Sequence, residues 1–452
     1  MPRSSSSAAT YSARKESNRQ MVRLNAYRIL QERGFTYQTT DEEALNSLFE
    51  QEQVTGYIGF DATADSLHVG HLLPLMALSW MDRTGHRPIA LVGGGTSMVG
   101  DPSGRIEARK LMTEETVAKN IEGIKPQASR FLDLQAGRAM LIDNSEWLLT
   151  LNYVPFLRDI GKHFSVNRML TAECYKSRLE EGLSFLEFNY MVMQAYDFLK
   201  LYETRGNKLQ LGGQDQWGNI VAGVELIRRV HGGASFGLTM PLLIDPRTGD
   251  KFGKTNAGAV WLSKEKTPVY DFYQFWRNVD DQETARLLAL FTYLPMDECR
   301  QLATLPGNLV NRAKEILAYE VTAICHGHEA ASDAFLASTR TFGAADPQLK
   351  VQTSSRISEL TVDRVEANLP TVSFPKSELE KTDLAQLFVL AGLASSKGEA
   401  RRLIRQGGAY LNDCPVPPSE ETGLLAGAAW LDEGQATLRA GKKRYKIVKV
   451  SL

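Results

Sequence analysis

From about residue 20 to residue 265, short apolar runs closed by glycine or polar residues alternate with longer stretches of helical period, the pattern of an α/β fold. Gln20 to Arg33 reads as a helix. Thr55 to Phe60 reads as a first strand, followed by a polar loop and the apolar helical segment Leu72 to Met81. Pro88 to Val92 predicts a second buried strand ending in Gly93-Gly94-Gly95, and Leu209 to Leu211 repeats the plan, ending in Gly212-Gly213 before a helix from Asn219 to Val230. Open parallel sheets bind ligands at the carboxyl ends of their strands, so a composite site built from these three loops is expected. From Tyr270 to Thr341 the period becomes helical, clearest over Glu283 to Leu290 and Asn311 to Cys325.

The flanks read differently. Residues 1–19 are Ser-rich and Arg-bearing, a disordered extension or a weak organelle transit signal, without the apolar core of a secretory leader. The expected organisation is a parallel-sheet domain over 20–265, a helical domain over 266–341, a linker over 342–382 and a small C-terminal domain over 383–452. In the last of these, Ser396 and Glu399 form a capping-box signature, Gly407 stops the helix, and Ala409 to Asn412 begins a short strand.

Composition narrows the class. A chain of 452 residues favours about three domains, and with 43% apolar and 23% charged residues it matches an ordinary soluble globular protein. No stretch approaches the roughly 20 apolar residues of a membrane helix. Cys174, Cys299, Cys325 and Cys414 lie far apart, which argues against a zinc ribbon and for a reducing, cytoplasmic setting. His326 and His328 beside Cys325 lack a second ligand group, so no metal site is expected. The net charge of -1 hides a positive end: residues 384–452 carry ten basic and six acidic side chains, or +4.

Chemistry gathers at the strand ends. After the first strand, Gly59-Phe60-Asp61-Ala62-Thr63 leads into His68-Val69-Gly70-His71, two imidazoles bracketing a glycine at a helix start, where backbone N–H groups favour an anion. Such a tetrapeptide alone also fits a capping or core histidine. Lys251-Phe252-Gly253-Lys254-Thr255 sits in a turn-rich loop that could close over a polyphosphate or be a solvated hairpin tip. Tyr190, Gln194 and Asp197, at i, i+4 and i+7, make a polar stripe on a mostly apolar helix, and that stripe must face water or a polar pocket. In the C-terminal segment Arg401 and Arg405 share a helical face opposite Ala400, Leu403 and Ile404, with Arg402 beside them, an arrangement suited to a phosphate backbone or to plain solvation.

The paired motifs His-Val-Gly-His and Lys-Phe-Gly-Lys-Thr resemble the two signatures of class I aminoacyl-tRNA synthetases. Gly100-Asp101-Pro102-Ser103-Gly104, Gly212 to Gly218 and Asn189 to Asp197 are similar to the bacterial tyrosyl branch of that family. The likeness is close over residues 30–300 and looser to the C-terminus, where Ser395 to Asn412 resembles an S4-type RNA-binding fold. It implies a Rossmann-like catalytic domain, a helical domain and an α+β S4-like domain, a homodimer, and tyrosine activation with ATP and Mg2+ followed by transfer to tRNA(Tyr). By the same resemblance, Tyr57 and Asp197 contact the substrate phenol, and Asp101, Tyr190 and Gln194 its ammonium. Thr63, His68, His71, Lys251, Lys254, Arg105 and Arg109 attend the phosphates. Asp61, Gly70, Gly213, Asp215, Gln216 and Thr255 serve ATP and the adenylate, and Arg401, Arg402 and Arg405 serve tRNA. Ala62, Gln214 and Arg105 depart from the family pattern, which has proline, serine and lysine there. Two other readings stay open: a tryptophanyl enzyme on the same scaffold, and an RNA-binding or splicing cofactor that has lost catalysis.

Overall fold

The computed structural model describes residues 25–102, 112–172, 175–176, 179, 182–255, 258–347, 349–360, 371–412, 414–426, 428–441 and 444–451, with Lys254, Thr255, Asn308, Thr371, Glu420, Ala429, Glu433, Arg444 and Tyr445 described in backbone only. The chain divides into two compact units, up to Ala331 and from Ser332.

The first unit is built on a six-stranded sheet. Its strands are β1 (Gln38–Thr39), β2 (Thr55–Asp61), β3 (Arg87–Gly93), β4 (Met140–Asp143), β5 (Leu209–Gly213) and β6 (Phe236–Met240), in the order β1-β6-β5-β2-β3-β4. All neighbours are parallel except the edge strand β1, which runs antiparallel to β6 with Gln38 opposite Thr239. Burial on both faces explains why β2 and β3 read as near-continuous apolar runs. The chain moves from β2 outward through β3 and β4, then returns to the other side of β2 as β5, so the sheet's topological switch point lies between β2 and β5.

Four helices position the site. Helix α1 (Leu72–Arg83) follows β2, and its Leu72, Leu73, Leu75, Met76, Leu78 and Met81 are all buried. Helix α2 (Glu114–Ala128) is capped by Thr113, whose side chain accepts from Thr116 N–H. Helix α3 (Phe185–Arg205) starts on a capping box between Ser184 and Glu187 and ends at Gly206, which takes the left-handed φ of 62°. Helix α4 (Trp217–His231) starts where β5 ends and packs against α3. Farther along, α5 (Val310–His326) buries eleven of its residues, the helical part expected there. Among the described residues no helix is long and apolar enough to cross a membrane.

The second unit is a five-stranded sheet in the order β11-β10-β12-β13-β9, where β9 is Thr371–Pro375, β10 Ala409–Leu411, β11 Cys414–Pro415, β12 Gln435–Ala440 and β13 Arg444–Ser451; β7 (Lys254–Thr255) and β8 (Gly258–Ala259) form a separate hairpin in the first unit. Helix α6 (Lys397–Arg405) packs Ala400 and Ile404 into a core with Leu387, Phe388 and Leu438. The stretch 342–382, expected as a linker with some local structure, contains a strand. Strand β9 pairs in parallel with β13, Val372 opposite Val448, so part of that stretch belongs to the C-terminal sheet. Its five residues alternate apolar and polar but end in Pro375, and proline in so short a run hides a strand. Ser396 caps α6 as expected, accepting from Glu399 N–H, yet the Glu399 carboxylate bonds Ser395 N–H and Oγ rather than closing the box on Ser396.

Candidate active site

A cleft of roughly 460 Å³ opens at the carboxyl ends of β2 and β5. It is lined by Tyr57, Asp61, Thr63, His68, Gly70, His71, Asp101, Tyr190, Gln194, Asp197, Gly213, Asp215, Gln216 and Lys251, so residues singled out in five separate stretches of sequence converge on one cavity.

The foot of the cleft is buried. Asp197 is 2% exposed on α3, and Asn144 Nδ2 donates to one of its oxygens at 2.9 Å while Trp147 Nε1 donates to the other at 2.7 Å. Burial pushes the carboxyl up to about 7; the two donors oppose the rise, and Asp61 and Asp143 reinforce it. Tyr57, 1% exposed, extends from β2 with its hydroxyl buried and without a partner among the described residues. Its pKa is driven well above the usual value by burial, with the nearby Asp197 adding to it. Asn144 and Trp147 escaped sequence reasoning. They follow the four-residue strand β4, and no linear spacing ties them to Asp197 some fifty residues away.

Above this foot runs a polar network. Tyr190 Oη donates to Asp61 at 3.3 Å, Gln216 Nε2 donates to Asp101 at 2.6 Å, and Asn219 Nδ2 donates to both Gln194 and Gln216 at 3.1 Å. Asn219, on the first turn of α4, thereby joins the stripe of α3 to the loop after β5.

The two imidazoles form a unit. His71 Nδ1 accepts from His68 N–H at 3.1 Å, His68 Nδ1 accepts from Gly70 N–H at 3.0 Å, and the ring centroids lie 4.0 Å apart. Enclosure and the adjacent His68 push His71 down to about 3, so it is neutral at physiological pH. With Nδ1 used as acceptor, each ring presents its Nε2–H as a donor suited to a phosphate oxygen.

The lysine loop is docked on this unit. Val69 N–H donates to Val260 O at 2.9 Å and Val260 N–H to Gly253 O at 3.0 Å, and His68 bridges to Trp261. Gly253 has a φ of +89°, and a Cβ there would lie 3.0 Å from Val69 Cβ, so glycine serves both the turn and the close approach. Lys251 Nζ lies 3.6 Å from Asp215, the residue expected at the ribose. Lys254 and Thr255 occupy β7, beside the cleft-lining Gly253. Arg105 and Arg109 lie outside the described residues. In the C-terminal unit Arg401, Arg402 and Arg405 all sit on α6, but Arg405 makes a two-pronged ion pair with Glu421, at 2.9 and 2.7 Å, which occupies the guanidinium expected to face RNA.

Comparison with known proteins gives the same direction. Residues 50–343 match the family model of class I tRNA synthetases (W and Y), and residues 362–448 match the tyrosine–tRNA ligase SYY-like C-terminal domain. A tyrosine–tRNA ligase from Desulfosudis oleivorans is 54% identical over 93% of this chain and 98% of its own length; one from Clostridium tetani is 49% identical over 94% and 98%. Among solved structures, a C-terminally truncated mitochondrial tyrosyl-tRNA synthetase from Aspergillus nidulans aligns with a TM-score of 0.64 at 29% identity, covering 74% of this chain and 98% of that one.

Proposed function

The chain belongs to the class I tRNA synthetases of the W and Y group, and from that membership we propose that its cleft joins L-tyrosine to ATP as tyrosyl-adenylate and passes the amino acid to the 3′-terminal adenosine of tRNA(Tyr). The amino-acid assignment is carried by the foot of the cleft, where the unpartnered Tyr57 hydroxyl and the doubly braced Asp197 carboxylate are buried together. A phenol hydroxyl accepts from Tyr57 and donates to Asp197. Phenylalanine leaves both unmet, a form of rejection for which tyrosyl enzymes are themselves the reference case. An indole N–H donates but does not accept, so tryptophan leaves Tyr57 unmet.

The substrate ammonium then lies against the oxygens of Asp101, Tyr190 and Gln194, and its carboxylate points toward the nucleotide. One carboxylate oxygen attacks the α-phosphorus of ATP in line; the bond to the bridging oxygen breaks, and pyrophosphate leaves with that electron pair. No covalent bond to the enzyme is required, so the protein's task is positioning and charge stabilisation. Thr63 and the Nε2–H groups of His68 and His71 serve the phosphates as donors. Lys251, Lys254, Arg105 and Arg109 supply positive charge as pyrophosphate departs, while Gly70 and Thr255 border the nucleotide and Asp61, Gly213, Asp215 and Gln216 hold the ribose and adenylate side. ATP enters as its magnesium complex, the ion counted with the substrate.

A cytoplasmic homodimer is part of the same reading. Among the described residues, more than half of the large exposed apolar side chains fall between 149 and 186, including Leu149, Tyr153, Val154, Val166 and Phe185, a concentration that a second copy would cover. The deciding measurement is ATP–pyrophosphate exchange with purified protein. Tyrosine should drive it, and exchange driven by tryptophan alone would refute the assignment.

A further inference from the structure

We infer that Asn120 and Gln127, on α2, are positioning residues for adenylate formation, holding the Ala62–Leu67 loop so that Thr63 and His68 meet the triphosphate. This rests on the phosphate role given to that loop above.

The loop between β2 and His68 has no regular structure, so its backbone groups must be met from outside. At its start, Asn120 Nδ2 donates to Ala62 O at 2.7 Å, and Ala62 N–H donates to Ser97 Oγ at 2.8 Å. At its end, Gln127 Oε1 accepts from Leu67 N–H at 2.9 Å and from Ser66 Oγ at 3.3 Å. Gln127 Nε2 donates to Gly123 O at 3.1 Å, which fixes the orientation of the carboxamide. Asn120, Gly123 and Gln127 stand at i, i+3 and i+7, on one face of the helix. A Cβ at Gly123 would lie 2.1 Å from Asp65 O, so the helix backbone seats directly against the middle of the loop.

Neither amide side chain lines the cleft. Each nevertheless holds backbone close to a phosphate-facing residue: the Ala62 carbonyl belongs to the peptide that enters Thr63, and the Leu67 N–H lies in the peptide one residue before His68. Charge stabilisation in the transition state depends on donors held at the right distance, and a displacement of about 1 Å remote from the reacting atoms can cost on the order of a hundredfold in rate. Asn120 buried at 7% exposure beside an intact carbonyl partner is thus a device for holding Thr63 in place.

The test compares Asn120→Asp, alone and combined with Thr63→Ala, with Gln127→Leu and Gln127→Glu, in tyrosine-dependent ATP–pyrophosphate exchange and in tyrosine calorimetry without ATP. Asn120→Asp turns a donor into an acceptor facing Ala62 O. Gln127→Leu removes the acceptor, and Gln127→Glu retains it. Expected is a kcat lower by roughly tenfold to a hundredfold for the first two, with tyrosine affinity intact, a smaller loss for Gln127→Glu, which keeps the acceptor but gives up the donation to Gly123 O, and little further loss from Asn120→Asp once Thr63 is alanine. Unchanged exchange, equal losses from Asn120→Asp with and without Thr63, losses from Gln127→Glu as large as from Gln127→Leu, or tyrosine binding lost in all three variants would overturn the inference. Thr63→Ala with wild-type exchange would instead defeat the phosphate reading of the loop on which it rests.

Discussion

Replacing Trp147 by phenylalanine removes the indole N–H from the foot of the cleft and keeps a smaller aromatic ring in its place. The lost group is the Nε1–H that donates to Asp197 at 2.7 Å, one of two donors opposing the burial that has pushed this carboxyl up to about 7. A hydrogen bond to a charged group is worth about 1.5–3 kcal/mol, and about 1.4 kcal/mol corresponds to one pH unit, so the inflection should move upward by about one to two pH units. At pH 7 the ionised fraction would fall from near one half to between about one tenth and one hundredth. If tyrosine is bound through a hydrogen bond to ionised Asp197, its affinity in the variant should be roughly five- to fiftyfold weaker at pH 7 and should recover as the pH rises toward 9. Calorimetric titration of tyrosine from pH 6 upward, without ATP, reads this directly. Parallel profiles with a common inflection, differing only by a constant factor, would show that Trp147 acts by shape and that Asp197 ionisation does not govern binding. The same raised value carries a stability consequence. Between the ordinary carboxyl value of 3.8 and about 7 the folded protein binds the proton more tightly than the unfolded chain, so this group's contribution to stability falls as pH rises through that window.

Three further outcomes follow from particular atoms. Tyr57→Phe removes a buried hydroxyl that has no partner, so thermal stability should hold or rise, while the preference for tyrosine over phenylalanine in exchange should narrow by about tenfold; a clear drop in Tm would contradict the unpartnered reading. His71, held down to about 3, contributes stability that is complete above 6.5 and lost as pH falls from there toward 3, so His71→Asn should flatten denaturant-measured stability against pH in that range, and an unaltered slope would count against it. Val154→Glu, at a side chain 71% exposed in the apolar stretch, should shift sedimentation from dimer to monomer without changing the circular dichroism spectrum; an unchanged dimer places the interface elsewhere.

Much of the cleft is legible in the sequence because its ligand-facing groups sit at strand ends that the hydrophobic pattern already marks. The glycines closing β3 and β5, the imidazole pair after β2 and the i, i+4, i+7 stripe on α3 each carry a local signature, and open parallel sheets bring such ends together. The groups that brace them carry none. Trp147 stands on a four-residue helix after a four-residue strand, too short for either period to register, and Asn120 and Gln127 look like the solvated side of an amphipathic helix until the loop they clamp is seen. Arg405 shows the converse, since its face on α6 was correctly placed, but its partner Glu421 comes from another turn of the chain sixteen residues on.

That division has a physical root. A residue that meets substrate is constrained by chemistry, which restricts its type, whereas a residue that meets another residue is constrained by geometry, which many types could satisfy at many positions. Asp197 alone could not be assigned a protonation state from its place on α3. Buried without donors it would be neutral at pH 7; with Asn144 and Trp147 on its two oxygens it is poised near 7 and can exist as the acceptor a phenol requires. The specificity proposed for this cleft therefore depends on two side chains that are placed to brace the carboxylate, and a Trp147 variant with normal packing and altered pH dependence would separate that bracing from the pocket's shape.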